Sequence, residues 1–437
     1  MADEPPVPSF SELLRVFLRI GLLSFGGPAG QIALMHRELV EERGWVSEGE
    51  YLHALNFCNL LPGPEAQQLA TWIGWRLHGW RGGLAAGLLF VIPGALVILA
   101  LSMLYAVAAR LDWFAALFLG VKAAVLAIVV QALLRIAGRA LNTRFKQVLA
   151  AAAFAALFLL DLAFPLIVLG AGGLGMAVAA FQPGWLALKV GDGSAPAGPK
   201  PWHATLTAAA TWGVIWAAPM LLVLATLGRG HVLWDIGTFF SQLAVVTFGG
   251  AYAVLAYMAQ EAVQGYGWLA PGEMADGLGL AETTPGPLIM VTQFVGYLAA
   301  FRAPEPFTPF VAGLLGAALT TWVTFAPCFL WIFAFAPWID RLGQSVKLKG
   351  GLAALTAAVV GMIANLTAWF ALHVLFADVG EVLIGPARFY QPDFSSFDWR
   401  AALLGAAACL LVFGARWSVI RVLGAAAIGG LVLGMMT

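Results

Sequence analysis

Long apolar runs alternate with short polar interruptions along nearly the whole chain. Six runs are long enough for a helix to cross a hydrocarbon core of ~30 Å: residues 84–109, 114–134, 162–181, 206–227, 310–335 and 352–376. Three shorter runs, 148–160, 401–413 and 422–435, are rich in Ala, Leu and Val and are paired across tight connections, so they are read as crossings too. Other apolar segments are interrupted. Residues 10–25 break at Gly26-Gly27-Pro28, and residues 53–61 and 65–77 are split by Pro62-Gly63-Pro64. Each is too short to cross alone. They read as helical hairpins that dip into the membrane and return, with ordinary full crossings as the competing reading. Residues 189–203, rich in Gly, Pro and Ala, form the clear linker.

The interrupted pattern occurs twice. Residues 24–64 align without a gap on residues 247–287, with 15 of 41 positions identical. Phe25-Gly26-Gly27 meets Phe248-Gly249-Gly250, Gly44-Trp45 meets Gly267-Trp268, and Pro62-Gly63-Pro64 meets Pro285-Gly286-Pro287. Further on, Pro93 meets Pro327, and residues 122–131 meet 356–365. The duplication therefore spans most of each half. The expected organisation is a first repeat at 1–188, a linker with one extra crossing at 189–233, and a second repeat at 234–437.

Composition agrees: 61% of residues are hydrophobic, 11% are charged, and mean hydropathy is +0.87. A soluble domain carries roughly 25% charged residues, so the expected class is an all-α polytopic membrane protein. Tryptophans such as Trp45, Trp80, Trp113, Trp202 and Trp234 fall near the expected membrane edges. The N-terminal residues lack the basic start and cleavage site of a signal peptide. Net charge is zero, which gives no nucleic-acid footprint.

Basic residues set the orientation. Residues 10–81 carry Arg15, Arg19, Arg37, Arg43, Arg76 and Arg81, whereas the equivalent 234–301 carries no Lys or Arg. The loop with Arg135, Arg139, Arg144 and Lys146 corresponds to one with Asp378, Glu381, Asp393 and Asp398 against Arg388. The halves are thus expected to be inserted with opposite orientation, N-terminus inside and C-terminus outside. A very apolar chain with equivalent halves, each broken at the same Gly/Pro point, has the pattern of a secondary transporter with inverted repeats.

The candidate chemistry lies at the breaks. Proline removes a backbone donor and ends the helix, and in lipid such breaks line protein cavities. The half-helices that begin at Glu65 and Leu288 would offer free N–H groups and a positive dipole end to an anion. Neutral polar residues flank them, Asn59, Gln67 and Gln68 in the first half and Thr283, Thr284 and Gln293 in the second, and Thr247 opens the second copy of the repeat. The candidate binding set is these together with Gly26, Gly27, Gly249, Gly250, Pro62, Gly63, Pro64, Pro285, Gly286, Pro287, Glu65, Glu282 and Lys122. A Pro-Gly-Pro that only shapes packing is the alternative. Glu65 and Glu282 read either as proton carriers or as helix-end charges. Lys122, the basic residue inside a clear apolar run, reads either as functional or as snorkelling to an edge. Cys58, Cys328 and Cys409 are scattered, and neither CxxC nor HExxH occurs, so no metal, cofactor or enzymatic activity is expected.

At these motifs the chain resembles the chromate ion transporter family, in its long, two-domain members. FGGP (25–28), LLPGPEAQQLATWIGW (60–75), FGGAY (248–252) and TTPGP (283–287) carry the resemblance, which covers nearly the whole chain. It implies export of chromate through a bacterial-type inner membrane, powered by proton-motive force or membrane potential and conferring chromate resistance. Sulfate or another small anion is the alternative substrate, and a membrane-embedded enzyme the more remote alternative. Besides the oxyanion and the bilayer, a homodimer stays open as a partner.

Overall fold

The computed structural model describes residues 7–25, 27–109, 111–188, 201–248 and 251–434. The helices in chain order are α1 (Phe10–Leu23), α2 (Gly27–His36), α3 (Glu48–Cys58), α4 (Glu65–Ala108), α5 (Asp112–Ala140), α6 (Arg144–Phe158), α7 (Phe164–Phe181) and α8 (Trp202–Thr226). They continue as α9 (Val232–Val246), α10 (Ala251–Gln260), α11 (Pro271–Thr283), α12 (Val291–Arg302), α13 (Pro309–Phe335), α14 (Ile339–Gln344), α15 (Val346–Leu375), α16 (Trp399–Cys409) and α17 (Val419–Gly434). Among the described residues, six helical stretches are long and apolar enough to cross a membrane: Glu65–Ala108, Asp112–Ala140, Phe164–Phe181, Trp202–Thr226, Pro309–Trp338 and Val346–Leu375. Shorter apolar helices occupy Val232–Val246, Leu288–Arg302, Trp399–Gly414 and Val419–Gly434. The chain is a multi-pass membrane protein.

The order of the helices runs parallel in the two sequence repeats. Each copy runs through a short helix (α1, α9), a second helix (α2, α10) that loosens into one π-helical turn (Arg37–Glu41, Glu261–Gly265), and a left-handed glycine (Gly44 at φ +61°, Gly267 at φ +64°). A third helix then starts on a shared device. Glu50 accepts from the Ser47 N–H at 3.3 Å, and Glu273 accepts from the Ala270 N–H at 2.9 Å. Beyond the Pro-Gly-Pro break, α4 turns at His78 and Gly79 (φ +60°), so it is two helices in one run. These correspond to the separate α12 and α13, and Pro93 and Pro327 lie inside the two longer members. The remaining pairs are α5 with α15, α6 with α16 and α7 with α17. Among the described residues, helix α8 has no counterpart.

The chain packs into two compact units, and neither coincides with a sequence half. One comprises Met1–Met103, Gly191–Ala251 and Thr284–Ser345; the other comprises Leu104–Val190, Tyr252–Thr283 and Val346–Thr437. In the first, α1 buries Leu13, Val16, Phe17 and Ile20 at helical spacing, and the Ser9 hydroxyl caps it by accepting from the Glu12 N–H. Helix α8 buries only Thr205 and Val223, and is tied to α13 by polar contacts. Trp216 Nε1 donates to the Val323 carbonyl at 3.1 Å, and Trp322 Nε1 to the Ile215 carbonyl at 3.0 Å.

In the second unit small residues let helices approach closely. Gly120 on α5 faces the backbone of Ala426 on α17, and Gly361 on α15 faces that of Ala150 on α6; a Cβ at either glycine would collide with a carbonyl oxygen. This unit also departs from the all-α expectation. Where charge alone suggested an acidic loop, Val379–Ile384 (β1) and Ala387–Pro392 (β2) form an antiparallel hairpin around Gly385 (φ +62°). Arg388 anchors it. Its N–H donates to the Leu159 carbonyl at 2.6 Å and its buried guanidinium pairs with Asp161 at 3.0 Å.

Candidate functional site

Both Pro-Gly-Pro breaks lie in the first unit, although they come from opposite halves of the chain. Gly63 and Gly286 take φ of +117° and +92°, which only glycine adopts without strain. Their amides are bonded reciprocally. The Gly63 N–H donates to the Thr247 carbonyl at 2.7 Å, and the Gly286 N–H to the Ser24 carbonyl at 2.9 Å. Ser24 and Thr247 are themselves equivalent positions, and each closes the end of its own helix. The Ser24 hydroxyl donates to Ile20 at 2.7 Å, and the Thr247 hydroxyl to Leu243 at 2.6 Å. Each repeat therefore supplies the acceptor for the amide in the other's break. Gln31 adds a bond with no equivalent, from Nε2 to the Gly286 carbonyl at 2.6 Å.

Helix ends follow both breaks. After Pro64 the helix starts directly at Glu65, which is half-buried; after Pro287 a single 3-10 turn, Leu288–Met290, leads into α12. The surroundings are tight. A Cβ at Gly63 would lie 2.9 Å from Gln68 Nε2 and 3.0 Å from Cys328 Sγ, and one at Gly286 would lie 3.2 Å from Gly94 Cα on α4.

The flanking polar side chains divide by what already holds them. Gln68 is buried and its Nε2 donates to the Pro62 carbonyl at 2.6 Å. Gln293 donates to the Ala95 carbonyl at 2.8 Å and accepts from the Thr321 hydroxyl at 2.8 Å. These two maintain the local fold. Gln67 is different: it is 0% exposed, and among the described residues neither its Oε1 nor its Nε2 has a hydrogen-bond partner. A buried amide without partners is costly, and here it borders a cavity of about 590 Å³. Gln67, Gln293 and Thr321 form a polar patch in that cavity; Leu88, Ile92, Trp212 and Phe329 contribute to an otherwise apolar wall. A free amide and helix N-termini can hold an anion without burying a cation.

Other expected site residues fall elsewhere. Thr284 is buried beside the second break; Asn59, the C-cap of α3, and Thr283 are exposed. Gly27 opens α2 at φ +70°. Glu282 is buried, but Glu282 and Thr283 belong to the second unit, as does Lys122. Lys122 pairs there with Asp276, a residue that the sequence reading did not single out. Gly26, Gly249 and Gly250 lie outside the described residues.

The chromate transporter family model matches residues 11–176 and 234–431, one segment in each half. A chromate transport protein from Pseudomonas aeruginosa is 33% identical over 408 residues, which cover 91% of this chain and 90% of the relative. One from Cupriavidus metallidurans is 29% identical over 360 residues, covering 82% of each chain. An uncharacterised transporter from Methanocaldococcus jannaschii is 24% identical over 367 residues, covering 84% and 86%. No solved structure matches. On the match across both halves and the relative covered nearly end to end, the chain belongs to the chromate transporter family.

Proposed function

We propose that this protein exports chromate, or a closely related oxyanion such as sulfate, across a bacterial-type inner membrane. The observation that carries the reading is Gln67, a fully buried amide without a partner among the described residues, which follows a helix break whose glycine is bonded by the opposite repeat. The second break, at Gly286, supplies the matching helix end. Neutral donors of this kind recognise a tetrahedral oxyanion by shape and charge, and they do not by themselves separate chromate from sulfate. The names of the relatives favour chromate.

The same reading takes residues 1–188 and 234–437 as inverted repeats joined by 189–233, with the N-terminus inside, the C-terminus outside, and the interrupted segments as re-entrant hairpins. A dianion leaving a cell that is negative inside is driven outward: two charges across ~100 mV gain roughly 4.6 kcal/mol, at about 2.3 kcal/mol per charge. Voltage alone can therefore power export, and a proton gradient adds to it. Export of this kind would confer chromate resistance.

Flux of labelled chromate and sulfate in proteoliposomes, under imposed voltage or pH gradients, tests the function. Uptake or release that depends on the protein is expected for at least one of the two; no flux of either would end the reading. Topology has its own test. Arg139 and Asp393 are both exposed, and their loops are equivalent yet opposite in charge. Single cysteines at these positions, in a background free of Cys58, Cys328 and Cys409, should be labelled from opposite sides by an impermeant reagent. Labelling of both from one side would remove the inverted arrangement.

A further inference from the structure

The second unit holds a buried charge cluster that the oxyanion site does not use. Asp276 on α11 is 4% exposed. Its Oδ2 accepts from the Tyr105 hydroxyl at 2.6 Å, at the end of α4. Its Oδ1 faces Lys122 Nζ on α5 at 3.3 Å, yet accepts no hydrogen bond of good geometry. The cluster lines a cavity of about 240 Å³, with Glu273 and Gly272 on the same wall. The missing side chain at Gly272 leaves room for the ammonium: a Cβ there would lie 3.1 Å from Lys122 Nζ. The Lys122 side chain is 26% exposed, whereas the carboxylate is covered.

We propose that Asp276 is the proton-binding group of the transport cycle, with Lys122 as its counter-ion and Tyr105 as the residue that positions it. The assignment rests on the transport reading above and adds to it a site for the proton. The step is a simple protonation. A proton from water bonds to Oδ1, the oxygen with an open lone pair; Tyr105 keeps hold of Oδ2, and Lys122 keeps its own proton. The pair passes from net neutral to net positive, and breaking the same O–H bond to water on the other side restores it. A buried ion pair is poor evidence of stability, because desolvation offsets the attraction. Inside a membrane protein it marks an ion or proton path by default. The charged and titratable groups that meet Asp276 are Lys122 from α5, Tyr105 from α4, and Glu273 on its own helix, whose Oε2 is engaged by the Ala270 N–H. Helices α15 and α17 also pack on α11 but add no titratable side chain to the residues that line the cavity.

The test uses the full chain in proteoliposomes with a pH-sensitive dye inside, and chromate or sulfate as the probe. For the wild type, oxyanion flux should be accompanied by proton movement. In Asp276→Asn, voltage-driven oxyanion flux should persist while oxyanion-dependent proton movement falls at least tenfold. Tyr105→Phe, which keeps the ring and removes only the hydroxyl, should move the pH midpoint of coupled flux upward by about one unit, since a hydrogen bond that favours the ionised carboxylate is lost. If Asp276→Asn does not reach the membrane, the Tyr105→Phe midpoint decides alone: an unmoved midpoint overturns the assignment. Wild-type proton movement in Asp276→Asn, or oxyanion flux without proton movement in the wild type, also overturns it while leaving oxyanion transport standing. Vesicles that carry neither oxyanion would overturn the transport reading itself.

Discussion

Gly63→Val and Gly286→Val should each reduce oxyanion flux to below about one hundredth of the wild-type rate while protein still reaches the membrane. Both positions lie at positive φ, and a β-branched residue there is strained by roughly 1–3 kcal/mol before any contact is counted. Contacts add to this. At Gly63 the new side chain meets Gln68 and Cys328; at Gly286 it meets the α4 backbone at Gly94. Relief requires the break to shift, and the bonds to Thr247 or Ser24 shift with it. Reacting or binding groups held by such a break lose their alignment over displacements of about 1 Å. Alanine at each position, with the same φ penalty but less bulk, should give intermediate rates. Flux per unit of inserted protein is the measurement, and normal rates in both valine variants would reduce the breaks to packing kinks.

The second large effect is expected from Gln67→Glu. The amide is fully buried, has no partner among the described residues, and borders the cavity beside the first break. A carboxylate in its place would repel an oxyanion at about 4 Å by roughly 4 kcal/mol per unit charge at an effective dielectric near 20. Affinity should fall by more than a hundredfold, and further for a dianion. The loss should grow as pH rises, because a larger fraction of the new carboxyl is then ionised. Gln67→Asn, which shortens the side chain but keeps the amide, should cost far less. Asn365→Asp makes a useful comparison, since Asn365 lies in the second unit and lines a different pocket. Binding by calorimetry or competition reads all three, and equal losses at Gln67 and Asn365 would mean that the anion does not sit beside Gln67.

Sequence legibility followed the side chains. The breaks, the paired glycines at 44 and 267, and the two inner prolines were readable because only Gly or Pro supplies the required backbone. Six of the crossings were readable because length and hydropathy decide them. What stayed hidden was carried by backbone groups or by distant pairing. The Gly63–Thr247 and Gly286–Ser24 bonds use N–H and C=O groups that every such residue has, so no residue type announces them. Asp276 lies within the repeated segment but at a position the two copies do not share, where the first has His53, and it becomes notable only once Tyr105 and Lys122 close on it. The hairpin at 379–392 was masked by its acidic charge, although Gly385-Pro386 between apolar strands was an available turn signal. The interleaving of the halves into two units is a long-range packing outcome that local patterns do not encode.

The crossed bonds also set an order on biogenesis. While the ribosome has delivered only the first 188 residues, the Gly63 amide has no Thr247 carbonyl to meet, and a buried amide left without an acceptor is costly. The first break cannot close on its acceptor until residue 247 has been made; the second can close as soon as it is made, because Ser24 is already there. Nascent chains arrested before Thr247 should therefore be cleaved readily near Pro62–Pro64, and chains arrested beyond Pro287 should resist.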